Sequence, residues 1–174
     1  MKKVFIPLAA FALSSMLPAL AGAAPQKAPQ AVAKLAPTEG NTVQGNVTFK
    51  QEKKGVRIIA SVSGLTAGMH GFHVHEKGDC SAPDGSSAGG HFNPDGHQHG
   101  KVDAAKHHAG DLPSLKADAK GNATLNTLVK GLMLTGDTGI VDRALIVHAN
   151  PDDYTTQPTG NAGGRVACAV IMAK

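Results

Sequence analysis

A series of short β-type segments, separated by turn residues, constrains the fold of this 174-residue chain more than any other feature. Each segment is rich in β-branched or other apolar residues and is flanked by Gly, Pro, Asn or Asp. The six segments cover residues 45–50, 56–63, 70–76, 123–129, 144–148 and 165–172. From residue 45 onward no segment keeps a helical period for three turns, and strands do not alternate with helices. The pattern therefore predicts an all-β domain, an antiparallel sandwich or barrel.

Two connections between these segments are too long to be simple turns. Residues 81–115 show almost no periodicity, and residues 149–164 form a second irregular stretch. The first contains more than half of the histidines, and the second directly follows another histidine. Long irregular loops inside a compact domain are usually functional or disordered, and the histidine content favours function here.

The first 23 residues have the pattern of a secretory signal peptide, predicted over residues 1–23. Two lysines precede an apolar run at residues 4–20, which two prolines interrupt. The small residues that follow predict cleavage after Ala23, with cleavage after Ala21 as the alternative. A transmembrane anchor is the competing interpretation, but the run is short and no second span follows. We therefore expect an exported chain that is free of the membrane after cleavage.

Residues 24–40 are expected to form a flexible N-terminal arm, because three prolines occur among Ala, Gln and Lys without an apolar period. The folded domain is expected over residues 41–174. Without residues 1–23 the chain has fifteen basic and thirteen acidic residues, a net charge of +2, and aromatic residues are scarce at 3%. Such a small charge and so few stacking side chains argue against a nucleic-acid partner.

The two cysteines of the chain, Cys80 and Cys168, have 87 residues between them. In an oxidising compartment each has only the other as a partner, which favours a disulfide that closes a long loop. Two free thiols are the alternative, and this alternative is the less favoured one outside the cytoplasm.

The histidines form two candidate metal-binding patterns. In His73-Val74-His75, both imidazoles project from the same face of a strand and can reach one metal, while Val74 turns into the core. On the first long loop, three imidazoles and one carboxylate match the ligand set of a closed zinc site. They belong to His91, His99, His108 and Asp111. His148 ends an apolar strand and, taken alone, is better explained as a hydrogen-bonded core histidine.

Five motifs follow one another along the chain: Gly71-Phe72-His73-Val74-His75-Glu76, Gly90-His91-Phe92-Asn93-Pro94, His108-Ala109-Gly110-Asp111-Leu112, Val147-His148 and Gly160-Asn161-Ala162-Gly163-Gly164-Arg165-Val166-Ala167-Cys168. Together they resemble the copper/zinc superoxide dismutase family, from about residue 45 to the C-terminus. The resemblance implies an antiparallel Greek-key β-sandwich or barrel, immunoglobulin-like, with two long loops that carry the metal sites. It also implies an oxidoreductase that converts superoxide to oxygen and hydrogen peroxide in antioxidant defence.

The resemblance implies one copper and one zinc per chain. The implied copper ligands are His73, His75, His91 and His148, and the implied zinc ligands are His91, His99, His108 and Asp111. Four nitrogens suit Cu(II), and three nitrogens with a carboxylate suit zinc. His91 would bridge the two metals as an imidazolate. When copper accepts an electron from one superoxide, His91 would leave copper and take a proton. The second superoxide then takes back the electron and receives this proton and one from water, which gives hydrogen peroxide.

Two further residues receive roles from the resemblance. Asp152 is implied as the carboxylate behind the metals, accepting hydrogen bonds from His73 and His99. Arg165 is implied to position the anion beside copper and is, with His91, the implied catalytic pair. The alternatives are a solvated carboxylate and a surface ion pair.

Three histidines are not implied as ligands. His70 matches a buried position that holds loop backbone, whereas His97 and His107 are expected to be exposed to solvent. An auxiliary role in metal capture is the alternative for this last pair. Exchanging His107 for His108 as a ligand fits the His-x-Gly-Asp pattern less well.

Two departures from the animal-type pattern resemble the bacterial exported branch of the family. Ten residues separate Cys80 from His91, and the second long loop, residues 149–164, is short for the family and contains no lysine. This branch implies a periplasmic location, and both a monomer and a homodimer stay open. The usual steering lysines are missing, so we hypothesise that Lys77, and also Lys101, attract superoxide.

The main functional alternative is a non-catalytic periplasmic copper- and zinc-binding or copper-delivery module on the same fold. Retention of all seven ligand residues together with Arg165 favours the enzyme. A zinc hydrolase is disfavoured, because four protein ligands leave no open position on zinc for water.

Overall fold

Ten strands and one short 3₁₀ helix form in the part of the chain that a computed structural model describes, Met1 and residues 28–174. The strands are β1 (Gln30–Pro37), β2 (Gln44–Glu52), β3 (Gly55–Ser63), β4 (Gly68–His70), β5 (Phe72–His75), β6 (Leu115–Ala117), β7 (Ala123–Lys130), β8 (Ala144–His148), β9 (Arg165–Val170) and β10 (Met172–Ala173), and the 3₁₀ helix is Ser86–Ala88. Over the same residues, no helix has the length and hydropathy that crossing a membrane requires.

All named strand pairs are antiparallel, and the strand order is β4-β6-β7-β3-β2-β1-β9-β8-β5, with β10 paired to β1. The two ends of this order, β4 and β5, are consecutive in the chain and are separated only by Gly71. The sheet therefore curls into a nearly closed barrel, which confirms the predicted all-β antiparallel class. Each of the six predicted segments contains a strand.

The expectation of a flexible arm over residues 24–40 is wrong for residues 30–37, which form β1. Three buried side chains of β1 alternate with more exposed ones: Ala31, Ala33 and Leu35. β1 pairs with β2 along most of its length and with β9 through its last two residues. Such period-2 burial is typical of a strand, but small alanines and three prolines weakened the signal in the sequence. The signal peptide predicted over residues 1–23 and the start of the arm lie outside the described residues, apart from Met1.

The barrel interior is one apolar cluster to which nearly every long strand contributes. Its largest fully buried members include Phe49, Ile58, Phe72, Leu115 and Leu145. β5 and β8 are buried on both faces, because their outer face is covered by the long loops. Phe72 and Val74 point into the barrel, so the alternate residues of β5, His73 and His75, point toward the loops.

A disulfide between Cys80 and Cys168 anchors the first long loop to β9, with a Cα–Cα distance of 5.9 Å. Beneath the loop, Ala88 packs with Ala144 and Ile146 in a second, small apolar cluster on the outer face of the sheet. This cluster and the disulfide fix the loop against the strands from which the histidines project.

Candidate metal centre

The outer face of β5 and β8 presents three of the histidines. His73 and His75 alternate with core residues along β5, and His148 is the last residue of β8. The pairing of β8 with β9 is irregular between Val147 and His148, so that His148 lies opposite Arg165. Strand periodicity thus places His73 and His75 on one face, as predicted, and the end of β8 brings His148 to the same place.

His91, from the first long loop, completes a group of four buried histidines. His73, His75, His91 and His148 each offer a nitrogen, and these four nitrogens lie within 4.8 Å of one another. We call this set the four-histidine group. His91 is placed by a bridge between its backbone and that of His75, and by a hydrogen bond from the Phe92 amide to the Val74 carbonyl.

Four nitrogens of this group are buried without a hydrogen-bond partner among the described residues: His73 Nδ1, His75 Nε2, His91 Nε2 and His148 Nε2. Their opposite nitrogens are engaged, for example His75 Nδ1 with the Gly89 carbonyl at 2.9 Å and His148 Nδ1 with the Gly163 carbonyl at 3.2 Å. A ring that donates from one nitrogen has a lone pair on the other. Buried polar atoms without partners are costly, so four that converge on one point fit a metal ion.

Burial holds His75, His91 and His148 in the neutral form that metal binding requires. Burial, with repulsion from neighbouring histidines and Arg165 as smaller causes, lowers the pKa of His75 to about 2 and that of His148 to about 3. Burial also lowers the pKa of His91 to about 4, although a hydrogen bond with Asp111 opposes the effect. All three rings are therefore neutral at pH 7.

A second group shares His91 and consists of His91, His99, His108 and Asp111. We call it the histidine–aspartate group. The Nδ1 atoms of His91, His99 and His108 lie 3.0, 2.9 and 3.5 Å from Asp111 Oδ1. Ligands of a tetrahedral zinc ion at its usual bond lengths are about 3.3 Å apart. The donors are thus already spaced for zinc.

The carboxylate of Asp111 is fixed through its second oxygen. Oδ2 accepts hydrogen bonds from the His108 amide at 2.9 Å and the Gly100 amide at 3.1 Å. Burial disfavours the charge of Asp111, but its hydrogen bonds with His108, His91 and His99 outweigh burial and hold its pKa well below the usual range. For His99, burial is likewise outweighed by Asp111 and Asp152, which raise its pKa to about 9.

Asp152, from the second long loop, connects the two groups. Its Oδ2 lies 2.7 Å from His73 Nε2, and its Oδ1 lies 2.8 Å from His99 Nε2. Gly160 packs against this pair at a backbone φ of 66°, and a Cβ atom there would overlap Asp152 Oδ1 and His99 Nε2. The predicted contacts of Asp152 are therefore present, and Gly160 makes room for them.

Comparison with known proteins identifies the family to which this chain belongs. The sequence profile described as copper/zinc superoxide dismutase (SODC) matches residues 43–171. The chain belongs to the copper/zinc superoxide dismutase family. Its function is therefore the dismutation of superoxide to oxygen and hydrogen peroxide, with copper and zinc as cofactors.

Two relatives show how far the similarity extends. The chain is 46% identical over 148 residues to the copper-zinc superoxide dismutase 2 of Brassica juncea, which covers 80% of this chain and 95% of that protein. It also resembles the crystal structure of the clock protein EA4, with a TM-score of 0.76 and 40% identity, over 84% of this chain and 96% of that one.

In this superoxide dismutase, Arg165 lies on β9 beside the four-histidine group. Its guanidinium donates to the carbonyls of Gly85 and Gly89. The Gly89 carbonyl also accepts the hydrogen bond of His75 Nδ1, so a single oxygen contacts both side chains. Gly85 and Gly89 belong to the loop that the disulfide of Cys80 anchors, so this loop holds the arginine in place.

The remaining histidines of the dismutase lie outside both groups. His70 is buried, with Nδ1 2.9 Å from the His148 carbonyl and Nε2 2.9 Å from the Thr66 carbonyl, as the expected structural role requires. His97 and His107 are half-buried rather than fully exposed, and both line one surface cleft. Each has its Nδ1 against a backbone carbonyl.

The hypothesised steering lysines are both exposed. The Lys77 amide donates to the Ala88 carbonyl, next to Gly89. The Lys101 ammonium lies 5.7 Å from the ring centre of Tyr154. Sequence reasoning missed the backbone carbonyls of Gly89 and Gly163, which fix two rings, because no side-chain pattern reports a carbonyl contact.

Proposed function

We propose that copper binds the four-histidine group and zinc binds the histidine–aspartate group, with His91 as the shared ligand. The observation that carries this assignment is the set of four buried nitrogens without a partner among the described residues. Four imidazole nitrogens suit Cu(II), and three nitrogens with one carboxylate at tetrahedral spacing suit zinc. Copper, when bound, supplies the one-electron acceptor and donor that dismutation requires.

His91 is the residue that holds and delivers a proton. Its Nε2 belongs to the four-histidine group and has no protein partner in the described structure, while its Nδ1 belongs to the other group. Nε2 can therefore take a proton when it is free and give it up to the second superoxide, while water supplies the other proton that hydrogen peroxide requires. The ring stays oriented throughout, because Nδ1 is held in the histidine–aspartate group.

Arg165 binds the superoxide anion. A guanidinium keeps its charge at any working pH and offers forked donors to a small anion. Its positive charge contributes to the lowered pKa of both His75 and His148, after burial and neighbouring histidines, which supports its nearness to the four-histidine group. The two glycine carbonyls hold the group in one orientation, so the anion does not have to order it.

This chain is an exported enzyme of the bacterial branch and works in the periplasm, free of the membrane. Three features support this location: the signal pattern of residues 1–23, the disulfide of Cys80 with Cys168, and the loop lengths described above. N-terminal sequencing of protein from a periplasmic fraction tests it. A start at Ala24 or Gly22 supports export, and an intact Met1 contradicts it.

Three single variants test the ligand assignment by metal analysis. His148→Ala is expected to lose copper and keep zinc, and His108→Ala to lose zinc and keep copper, because each residue belongs to one group only. His91→Ala is expected to weaken both. Equal loss of both metals in His148→Ala and His108→Ala would contradict two separate sites.

A further inference from the structure

Gln157, in the second long loop, belongs to neither metal group, yet its side chain binds the backbone of His99. Its Oε1 accepts a hydrogen bond from the His99 amide at 2.8 Å, and its Nε2 donates to the His99 carbonyl at 3.0 Å. A single side chain thus binds both polar backbone groups of one residue, as a neighbouring strand would. If the Gln157 amide group were flipped, its NH2 would face the His99 N–H and its oxygen would face the His99 carbonyl. The two hydrogen bonds therefore define the orientation of the amide group.

His99 is held at four points, and two of its holders come from one short segment. Its ring contacts Asp111 through Nδ1 at 2.9 Å and Asp152 through Nε2 at 2.8 Å. Gln157 then fixes the backbone from which the ring extends. Asp152 and Gln157 lie in the same loop, so a shift of that loop would move the ring and the backbone of His99 together.

We propose that Gln157 is a positioning residue for zinc: it fixes the His99 backbone so that Nδ1 keeps its place in the histidine–aspartate group. This inference rests on the proposed assignment of His99 as a zinc ligand. Removing a group that orients a metal ligand through hydrogen bonds typically weakens metal affinity by about 10- to 100-fold. Gln157 is exposed, and water can replace part of its contact, so we expect the lower end of that range.

The exposure of Gln157 also makes the inference testable without damage to the core. Truncating an exposed side chain creates no cavity, and most surface changes alter stability little. Gln157→Ala removes both hydrogen bonds to His99, together with a longer one from Gln157 Nε2 to the Thr155 carbonyl at 3.3 Å. Gln157→Glu keeps an acceptor for the His99 amide but cannot donate to the His99 carbonyl at neutral pH. A role in positioning therefore predicts an effect in both variants.

The experiment measures the rate at which zinc passes from the fully loaded, full-length protein to a chromogenic chelator. We expect release about tenfold faster in Gln157→Ala, and faster than wild type in Gln157→Glu. Thr159→Ala, in the same loop, is the matched control, because the Thr159 hydroxyl makes no hydrogen bond with any described residue. The melting temperature of the metal-free protein should stay unchanged in all three variants. Release from Gln157→Ala within twofold of wild type would overturn the proposal.

A second measurement needs no variant. In the reduced, diamagnetic protein, the His99 amide hydrogen should exchange slowly with solvent, because Gln157 Oε1 accepts a hydrogen bond from it. Exchange as fast as that of a free loop amide would overturn the proposal even if Gln157→Ala failed to fold. His99→Ala separates this inference from the assignment beneath it. If that variant kept wild-type zinc affinity, the ligand assignment itself would fail.

Discussion

Oδ2 of Asp152 lies 2.7 Å from Nε2 of His73, and the opposite ring nitrogen, Nδ1, is one of the four buried nitrogens without a partner among the described residues. The other oxygen of the carboxylate contacts His99, so one residue orients a ring in each metal group. Both contacts need an acceptor, and a carboxylate supplies two.

Asp152→Asn is expected to weaken zinc binding by about 10- to 100-fold, because the amide can accept from only one of the two rings. Chelator competition measures the affinity. Asp153→Asn is the control, since within the described part of the chain the Asp153 side chain forms hydrogen bonds only with Thr155 and Thr156 in its own turn. Equal affinities for the two variants would show that the link through Asp152 has no effect on zinc.

Arg165→Ala is expected to lower kcat/KM for superoxide by about 10- to 100-fold, the effect of losing a charged hydrogen-bonding group. Arg165→Lys should be intermediate, because an ammonium keeps the charge but cannot span the carbonyls of Gly85 and Gly89 in the same fork. Pulse radiolysis measures the rate, and metal content must match wild type. A fully loaded Arg165→Ala with the wild-type rate would remove Arg165 from the mechanism.

Replacing Cys80 and Cys168 by serine should lower the free energy of unfolding by up to about 4 to 5 kcal/mol, since the bridge closes a loop of nearly ninety residues. The loss of this anchor should also loosen the loop that holds Arg165. Urea denaturation measures the first effect, and the superoxide rate of the metal-loaded variant measures the second. Unchanged stability and rate would contradict both roles.

The metal-free protein should lose stability as pH falls from about 6.5 to about 4. Burial is the main cause that lowers the pKa of His75, His91 and His148, from 6.5 to about 2, 4 and 3. Over this range the unfolded chain takes up protons that the folded chain does not, so the free energy of unfolding decreases. The raised pKa of His99 has the opposite effect on the free energy of unfolding. This stabilising contribution is present at low pH and is lost only as the pH rises toward about 9. Urea denaturation at several pH values measures the slope, and a flat profile would be evidence against buried neutral histidines.

The metal-loaded protein should show the same direction of change. Protons compete with the metals for the same nitrogens, so acidification releases metal and lowers the melting temperature. A melting temperature that stays constant from about pH 7 to about pH 4, across the range where free imidazole titrates, would refute metal binding by these histidines.

Lys77→Glu is expected to slow the reaction with superoxide by about twofold at low salt and to reduce its dependence on ionic strength. Lys77 is exposed next to the segment whose Gly89 carbonyl contacts His75 and Arg165. Lys50→Glu on β2 is the matched control, because it changes the net charge equally on a strand outside the metal sites. The hypothesis fails if Lys77→Glu keeps the wild-type rate and salt dependence.

The barrel and the ligands on its strands could be predicted from local periodicity, whereas the loop ligands His91, His99, His108 and Asp111 were predicted from their residue types and from the family resemblance. His73 and His75 are two residues apart in a strand, and His148 ends a strand of continuous apolar residues. β1 was missed because Ala31 and Ala33 bury little area, so their alternation carries a weak hydrophobic signal. A short strand such as β6 offers too few residues for a period.

Contacts between distant loops could not be predicted in the same way. The bond of Gln157 to His99 joins residues 58 positions apart, and neither belongs to a strand. The contact of Gly89 with both His75 and Arg165 depends on one backbone carbonyl, which every residue type offers. Their partners are set by loop conformation, and that conformation depends on the disulfide, on glycines such as Gly160 and on the packed barrel beneath.

We propose that copper in the four-histidine group carries the dismutation and that zinc occupies the histidine–aspartate group. The most direct test of this proposal is metal content and superoxide dismutation measured on one preparation, before chelation, after chelation and after copper is added back. We predict one copper and one zinc per chain, with activity that disappears on chelation and returns with copper. A protein that holds zinc alone and stays inactive after copper is restored would contradict the claim.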